Sequence, residues 1–404
     1  MTLSFLEWVL LIPVIVGSTY AILCLISVIR FKAVSAASPG RRSRSWPPVT
    51  ILKPICGLEK NLRENLRSAC VQDYPEYQVV FSVQVPDDPA IPLLKELQSE
   101  FGAQKVSIAI DGSHTAPNGK IKNLLGALLY ARYDTLVISD SDILLGPEYL
   151  KAIVAPLEDP TVGYVCTLYK ASHAGTWIER LELLTINADV MSNIVFAHMT
   201  GASKPCMGSS TALHRSTLKD IGGLEALGEY LVEDYEMGRR ILKTGKKSAI
   251  VFHLIDTIVD LKTVRQWWTH QVYWDQNIWF VEPARFFGTI VTRAIPFALL
   301  FAGLRLDLLG LMVLGGAVLV RLATATVILG WGFQDREGVR SLALLPIRDV
   351  AGLVFWFLAI TTRTVTWRGA KFNLTNDGRL VPKEGGQSCE SLSSPATTSV
   401  SPSR

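Results

Sequence analysis

Thr135-Leu136-Val137-Ile138-Ser139-Asp140-Ser141-Asp142 is an apolar run that empties into two aspartates one residue apart. The run predicts a buried strand, Thr135–Ser139, followed by a polar exit. With a single spacer, both carboxylates can turn towards one ion as the chain leaves the strand. A hard divalent cation with open positions for substrate phosphates is the natural occupant, and it would offset charge growing on a diphosphate leaving group. A solvated acidic turn is the competing reading of the same string. The surroundings of the strand decide between them.

Upstream, β-branched runs at 49–52, 78–83 and 105–110 alternate with amphipathic helices at 61–69, 89–101 and 120–131. Alternation of apolar strands with helices predicts an α/β domain with a mainly parallel sheet covered on both faces. In such sheets ligands bind beyond the carboxyl ends of the strands, which is where Asp140 and Asp142 stand. Downstream, Trp177, Leu181, Leu184, Ala188, Met191 and Val195 recur on one face of a helix, which suits either packing on the sheet or an interfacial acceptor site. Strands follow at 207–213 and 248–253, and helices at 216–221, 233–242 and 263–279.

Of the 404 residues, 49% are apolar and 19% charged, and the apolar excess lies in blocks near the two ends. Residues 8–29 are uncharged and long enough to cross a bilayer as a helix. A cleaved leader would carry positive charge before the block; here only Glu7 precedes it, and Arg30, Lys32, Arg41, Arg42 and Arg44 follow. The positive-inside rule then predicts an anchor with its N-terminus outside and the rest of the chain entering the cytoplasm. Three further blocks, 286–304, 308–330 and 342–360, predict a multi-pass membrane region; Arg293, Arg321, Arg348 and Asp349 within them are expected to face protein or to snorkel. Three full crossings would strand the basic Arg363, Arg368 and Lys371 outside, so either one block is interfacial or the tail breaks the charge rule. The chain divides into an anchor at 1–32, a linker at 33–48, a cytoplasmic catalytic domain at 49–282, a membrane region at 283–366, and a basic then disordered tail at 367–404. A net charge of +4 without a long basic run argues against nucleic acid as a partner. Six cysteines without pairing or metal-type spacing are read as reduced thiols.

Two further acidic pairs fall at strand or helix ends. Asp87-Asp88 follow the second strand; a carboxylate there can accept from a nucleobase or a ribose, or can cap a helix that starts at Pro89. Glu233-Asp234 open a helix, where acidic residues complement the dipole and where one could serve as general base. Lys53, at the end of the first strand, and Lys120 with Asn123, opening the helix at 120–131, could help to hold phosphates. The sequence contains no P-loop, dinucleotide-binding glycine motif, H-E-x-x-H or serine elbow.

These residues carry a resemblance. Ile51-Leu52-Lys53-Pro54-Ile55-Cys56-Gly57, Asp73-Tyr74-Pro75, Val83-Gln84-Val85-Pro86-Asp87-Asp88-Pro89-Ala90, Lys120-Ile121-Lys122-Asn123-Leu124, Asp140-Ser141-Asp142 and Val232-Glu233-Asp234-Tyr235 resemble the ceramide glucosyltransferase family, glycosyltransferase family 21. The resemblance implies a GT-A fold with N-terminal and C-terminal transmembrane helices. It implies an inverting, metal-dependent transfer of a hexose from a UDP-sugar, UDP-glucose by analogy, onto a lipid hydroxyl such as that of ceramide. Asp88 would contact the nucleotide, Asp140 and Asp142 would hold Mn2+ or Mg2+ with the diphosphate, and Asp234 would be the catalytic base. The family's (Q/R)xxRW motif falls on His270-Gln271-Val272-Tyr273-Trp274, with Tyr273 in place of the arginine, in the region implied to serve the diphosphate or the acceptor. Asp-Ser-Asp and Trp367-Arg368-Gly369 look more like a bacterial branch in which an N-acetylglucosamine donor serves a hopanoid lipid. A processive polysaccharide synthase, with a related domain and membrane ends, is a further alternative.

Overall fold

The protein is described here by a computed structural model covering residues 3–37, 46–367, 370–375 and 377–383. The expected linker segment 38–45, Arg368 and Gly369, and the tail from 384 lie outside the described residues.

The catalytic half is built on an eight-stranded sheet of order β3-β2-β1-β4-β7-β6-β8-β5. After helix α1 (Phe5–Ala37) come β1 (Val49–Pro54), α2 (Leu62–Cys70), β2 (Tyr77–Val83), α3 (Ile91–Phe101), β3 (Val106–Ile110), α4 (Gly119–Tyr130), β4 (Thr135–Ser139) and β5 (Ile143–Leu144). Every residue of β1, β2 and β4 is buried, which is why these strands read as largely apolar runs without a solvent-facing alternation. They pair in parallel, with Val49 opposite both Tyr77 and Thr135. Because β2 and β3 lie on one side of β1 and β4 on the other, the strand order reverses beside β1, and the crevice opens at the carboxyl ends of β1 and β4.

The next elements are α5 (Tyr149–Val154), β6 (Val162–Ser172), α6 (Trp177–Leu184), α7 (Met191–Thr200), β7 (Ser210–His214), α8 (Arg215–Asp220), α9 (Glu233–Lys243) and β8 (Lys247–Ile258). The sheet is mixed rather than mainly parallel: β7 runs antiparallel to both β4 and β6, and β5 antiparallel to β8. Strand β6, which the sequence reading passes over, lies parallel to β8 with a register shift at Thr167/Leu168. The stretch expected as one helix from Trp177 to Val195 is two helices joined by a π-helical turn, Thr185–Val190. There the buried Asn187 bonds both backbone groups of Ala171 and the carboxylate of Asp335, a polar demand that a regular turn would not satisfy. Leu181, Leu184, Ala188, Met191 and Val195 are buried, so that face is mostly packing, while Trp177 is exposed.

The membrane half comprises α1, α10 (Val264–Val281), α11 (Pro283–Gly288), α12 (Ala294–Arg305), α13 (Leu308–Val327), α14 (Arg336–Arg340) and α15 (Leu345–Thr361). Three helical segments, Phe5–Ala36, Leu308–Gly332 and Leu342–Thr361, are long and apolar enough to cross a membrane. The block expected at 286–304 is instead two helical pieces bent by 49° at Arg293. Arg305 bonds Glu7 at 2.9 Å, and Gly17 packs against Thr292 and Ala294, so α12 runs antiparallel to the N-terminal half of α1. Gly332 meets Val28, so the helix from Leu308 returns along α1 towards the catalytic half. The charges inside these blocks face protein: Arg321 and Arg348 share Asp189 and Asp349, and Arg293 pairs with Asp275.

Strands β9 (Thr364–Trp367), β10 (Ala370–Leu374) and β11 (Leu380–Pro382) form an antiparallel sheet. Val365, Phe372, Leu374 and Leu380 pack with Leu231 and Phe280, against Tyr273. Alternating apolar residues that cover Leu231 and Phe280 are the physical reason that strands form here, in the part of the tail expected to be basic.

Candidate active site

A cavity of about 580 Å3 opens at the carboxyl ends of β1, β2 and β4. It brings together Asp88, Lys120, Asn123, Asp140, Asp142 and Tyr273 of the residues singled out by sequence. Glu59, Glu233 and Lys371 also line it.

Lys120 is the electrostatic centre. Asn118 caps α4 through the backbone NH groups of Lys120 and Ile121, which fixes where the lysine emerges. Lys120 Nζ lies 2.7 Å from Asp140 Oδ1 and 3.1 Å from Glu233 Oε1, and donates to Gly208 O at 3.2 Å. Burial alone would push its pKa down, but Asp140, Glu233 and Asp234 outweigh that and hold it above the ordinary lysine range. Lys53 works beneath the floor. Its buried Nζ donates to the carbonyls of Asp140 and Ile143, holding the exit of β4, and burial lowers its pKa to about 8. Asn123 donates to Ile55 O at 2.8 Å, while its Oδ1 is buried with no partner among the described residues.

Asp88 ties two loops together, accepting from Gly57 N at 3.0 Å and from Ala90 N at 2.8 Å. The expected helix start at Pro89 shifts to Ile91, and Asp87 is exposed. Asp142 accepts from Thr257 Oγ1 at 3.0 Å; burial first, then repulsion from Asp140 and Glu59, raises its pKa to about 6. No group of three or more potential metal ligands stands assembled among the described residues. Two aspartates from one strand end, crowded by Glu59 so that Asp142 resists ionising, nevertheless form an oxygen donor set that a hard cation would relieve.

Asp234 sits behind this wall, with Glu233 taking the place on the cavity lining. Asp234 Oδ2 accepts from Gly208 N at 2.6 Å and Oδ1 from Tyr235 N at 2.7 Å. A Cβ on Gly208 would stand 2.7 Å from Lys120 Nζ and 3.0 Å from Asp234 Oδ2, so only glycine lets this loop lie against both. Burial and then Glu233 raise the Asp234 pKa to about 6.

On α10 the three residues of the expected motif part company. Tyr273 lines the cavity. His270 pairs with Glu182 at 2.9 Å and accepts from Trp274 Nε1 at 3.1 Å. Trp274 borders a second cavity of about 160 Å3 on the membrane side, with Arg293, Arg321 and Arg348. Sequence reasoning missed Glu59, Lys371 and Lys383. For the lysines the available signal was the alternation of Phe372 and Leu374 before Asp377-Gly378, a hairpin pattern.

The profile of glycosyl transferase family 21 matches residues 9–380, and the chain belongs to that family. Ceramide glucosyltransferase 1 of Caenorhabditis elegans is 24% identical over 367 residues, covering 84% of this chain and 74% of the relative. A ceramide glucosyltransferase of Candida albicans is 32% identical over 121 residues, 27% of this chain and 22% of the relative. Among solved structures, a mannosyltransferase from Pyrobaculum calidifontis in complex with GDP-mannose and Mn2+ is 18% identical, with a TM-score of 0.50 over 87% of this chain and 98% of that one. The fold is GT-A, and the chain is a glycosyltransferase of the membrane.

Proposed function

We propose that this member of glycosyl transferase family 21 moves a hexose from a UDP-sugar onto a membrane-lipid hydroxyl with inversion, glucose onto ceramide by analogy with its relatives. The observation that carries the reading is the convergence of Asp88, Asp140, Asp142 and Glu233 around Lys120 in one cavity at the strand ends, next to helices apolar enough for a bilayer. Asp88, in the loop after β2, lies where the nucleoside would sit. A divalent cation held by Asp140 and Asp142, Mn2+ or Mg2+, would neutralise charge on the departing diphosphate.

Inversion needs one in-line displacement: the acceptor oxygen loses its proton to a base as its bond to the anomeric carbon forms, and the bond to UDP breaks on the opposite face. Asp234 is assigned as that base. Its raised pKa suits proton uptake near neutrality, and Gly208 N and Tyr235 N hold its carboxylate in place. Glu233 competes for the role because it lines the cavity, although its ion pair with Lys120 favours a structural part.

The same reading orients the chain. Strands β9–β11 pack on the catalytic half, so the segment between α10 and β9 crosses the bilayer an even number of times. The antiparallel contacts of α12 and α13 with α1 support those two as the crossing pair. Contacts of α15 with α10, through Phe355 against Trp267 and Trp268, support an interfacial position for α15. The N-terminus is then outside, and the catalytic half and C-terminal sheet cytoplasmic.

Four outcomes are expected. Membranes containing the protein, given separate UDP-sugars and ceramide or hopanoid lipids, should yield a monohexosylceramide by mass spectrometry; a polymer or an N-acetylglucosaminyl hopanoid would replace this substrate assignment. Asp234→Asn should cut turnover by about two decades, about 3 kcal/mol of barrier, with Glu233→Gln milder; the reverse order would move the base to Glu233. Because burial and Glu233 raise the Asp234 pKa to about 6, its carboxylate is protonated below that value, so wild-type turnover should fall as pH drops through about 6 and level off above it; a flat profile from pH 5 to 8 would contradict the assignment. Finally, cysteines introduced at Ser4 and Asp377 should react with an impermeant maleimide from opposite sides of sealed vesicles; labelling from one side would refute the even crossing number.

A further inference from the structure

We infer that the C-terminal sheet is the second half of the nucleotide-diphosphate site, with Lys371 and Lys383 supplying the cations that meet the phosphates. This inference rests on the UDP-sugar reading above and adds residues to it. Five carboxylates line the cavity: Glu59, Asp88, Asp140, Asp142 and Glu233. A nucleoside diphosphate brings further negative charge to walls that are already acidic. One divalent ion and Lys120 are too few to balance both, because Lys120 is spent on Asp140 and Glu233 and Lys53 on backbone carbonyls beneath the floor. The remaining lysines on the wall are Lys122, Lys371 and Lys383.

The last two are built into place. Lys383 N donates to Lys371 O at 3.0 Å, which sets the residues side by side across β10 and the end of β11. The strand period of two sends Phe372 and Leu374 into the apolar cluster with Leu231 and leaves Lys371 exposed on the cavity rim. Both lysines are exposed, and neither forms an ion pair among the described residues, so their charges are available to an incoming anion. The sheet is also fastened to the loop that leads into Glu233 and Asp234: Leu231 N donates to Gly378 O at 3.0 Å and Leu380 N to Glu229 O at 2.7 Å. Arg379 reinforces the junction, bonding Glu229 at 2.9 Å and lying over the Tyr230 ring. A segment that follows the last apolar helix thus returns to line the site beside the loop before α9. The family profile, ending at residue 380, reaches into β11 and includes most of this sheet.

The test is the double variant Lys371→Gln/Lys383→Gln, assayed in membranes beside Lys371→Arg/Lys383→Arg. Inhibition by UDP and by uridine is measured together with KM for donor and acceptor. Loss of two charge-assisted contacts should weaken UDP inhibition and raise the donor KM by about tenfold or more. Uridine inhibition and the acceptor KM should stay unchanged, and the arginine pair should restore UDP inhibition. UDP inhibition of the glutamine pair within about twofold of wild type would overturn the inference while leaving the enzyme reading intact. Equal weakening of UDP and uridine would assign the sheet to the nucleoside and overturn the phosphate role. A wild-type protein that UDP does not inhibit would remove the underlying reading, and the inference with it.

Discussion

Lys120 stands where three parts of the chain must meet. Its amine bonds Asp140 from the end of β4, Glu233 from the start of α9 and the carbonyl of Gly208 from the loop before β7. The half-buried ammonium is kept charged because Asp140, Glu233 and Asp234 together outweigh the cost of leaving water, and removing its partners would leave an uncompensated charge. The requirement propagates outward. Asn118 must cap α4 to aim the lysine, Gly208 must lack a side chain to let it pass, and Lys53 must hold the backbone of Asp140 from below. The cavity takes its shape from this ionic knot more than from the apolar packing around it.

Much of this was legible from residues alone. The strands ending at Pro54, Val83 and Ser139 are fully buried, so their composition is nearly uniform, and the polar residues that follow mark where each one leaves the sheet. Asp88, Asp140 and Asp142 come to one cavity for that reason. The choice within an acidic pair was not legible. Consecutive residues in the first turn of a helix diverge by about 100°, so Glu233 lines the donor cavity while Asp234 turns to the loop at Gly208, and spacing alone does not say which does which. The same angle separates Tyr273 from Trp274 on α10, sending one to the donor cavity and the other to the membrane-side cavity. Spacing identifies a helix face; it does not say what lies opposite.

Strand order and the fate of the C-terminus depend on contacts distant in sequence. Strand β7 is antiparallel because the chain returns to β4 after the long excursion through β6, α6 and α7, and no local pattern encodes that path. The ends of the membrane half are tied likewise. Phe31 of the anchor meets Phe252 of β8, and Val365 after α15 packs on Leu231 before α9. Catalytic and membrane halves therefore share apolar cores at both ends of the chain. That arrangement suits an enzyme joining a water-soluble donor to an acceptor dissolved in the bilayer: α10 forms the partition, with the acidic cavity on one face and the arginine-lined cavity on the other.

On the proposed reading, the acidic cavity takes up a cation before it accepts a nucleoside diphosphate. Calorimetric titration of the detergent-solubilised protein with UDP, in Mn2+ and again after chelation, measures that dependence without turnover. Binding at least about tenfold tighter with the metal present, a gain of about 1.4 kcal/mol, is the expected result. UDP binding of equal strength in both buffers, or none in either, would contradict it.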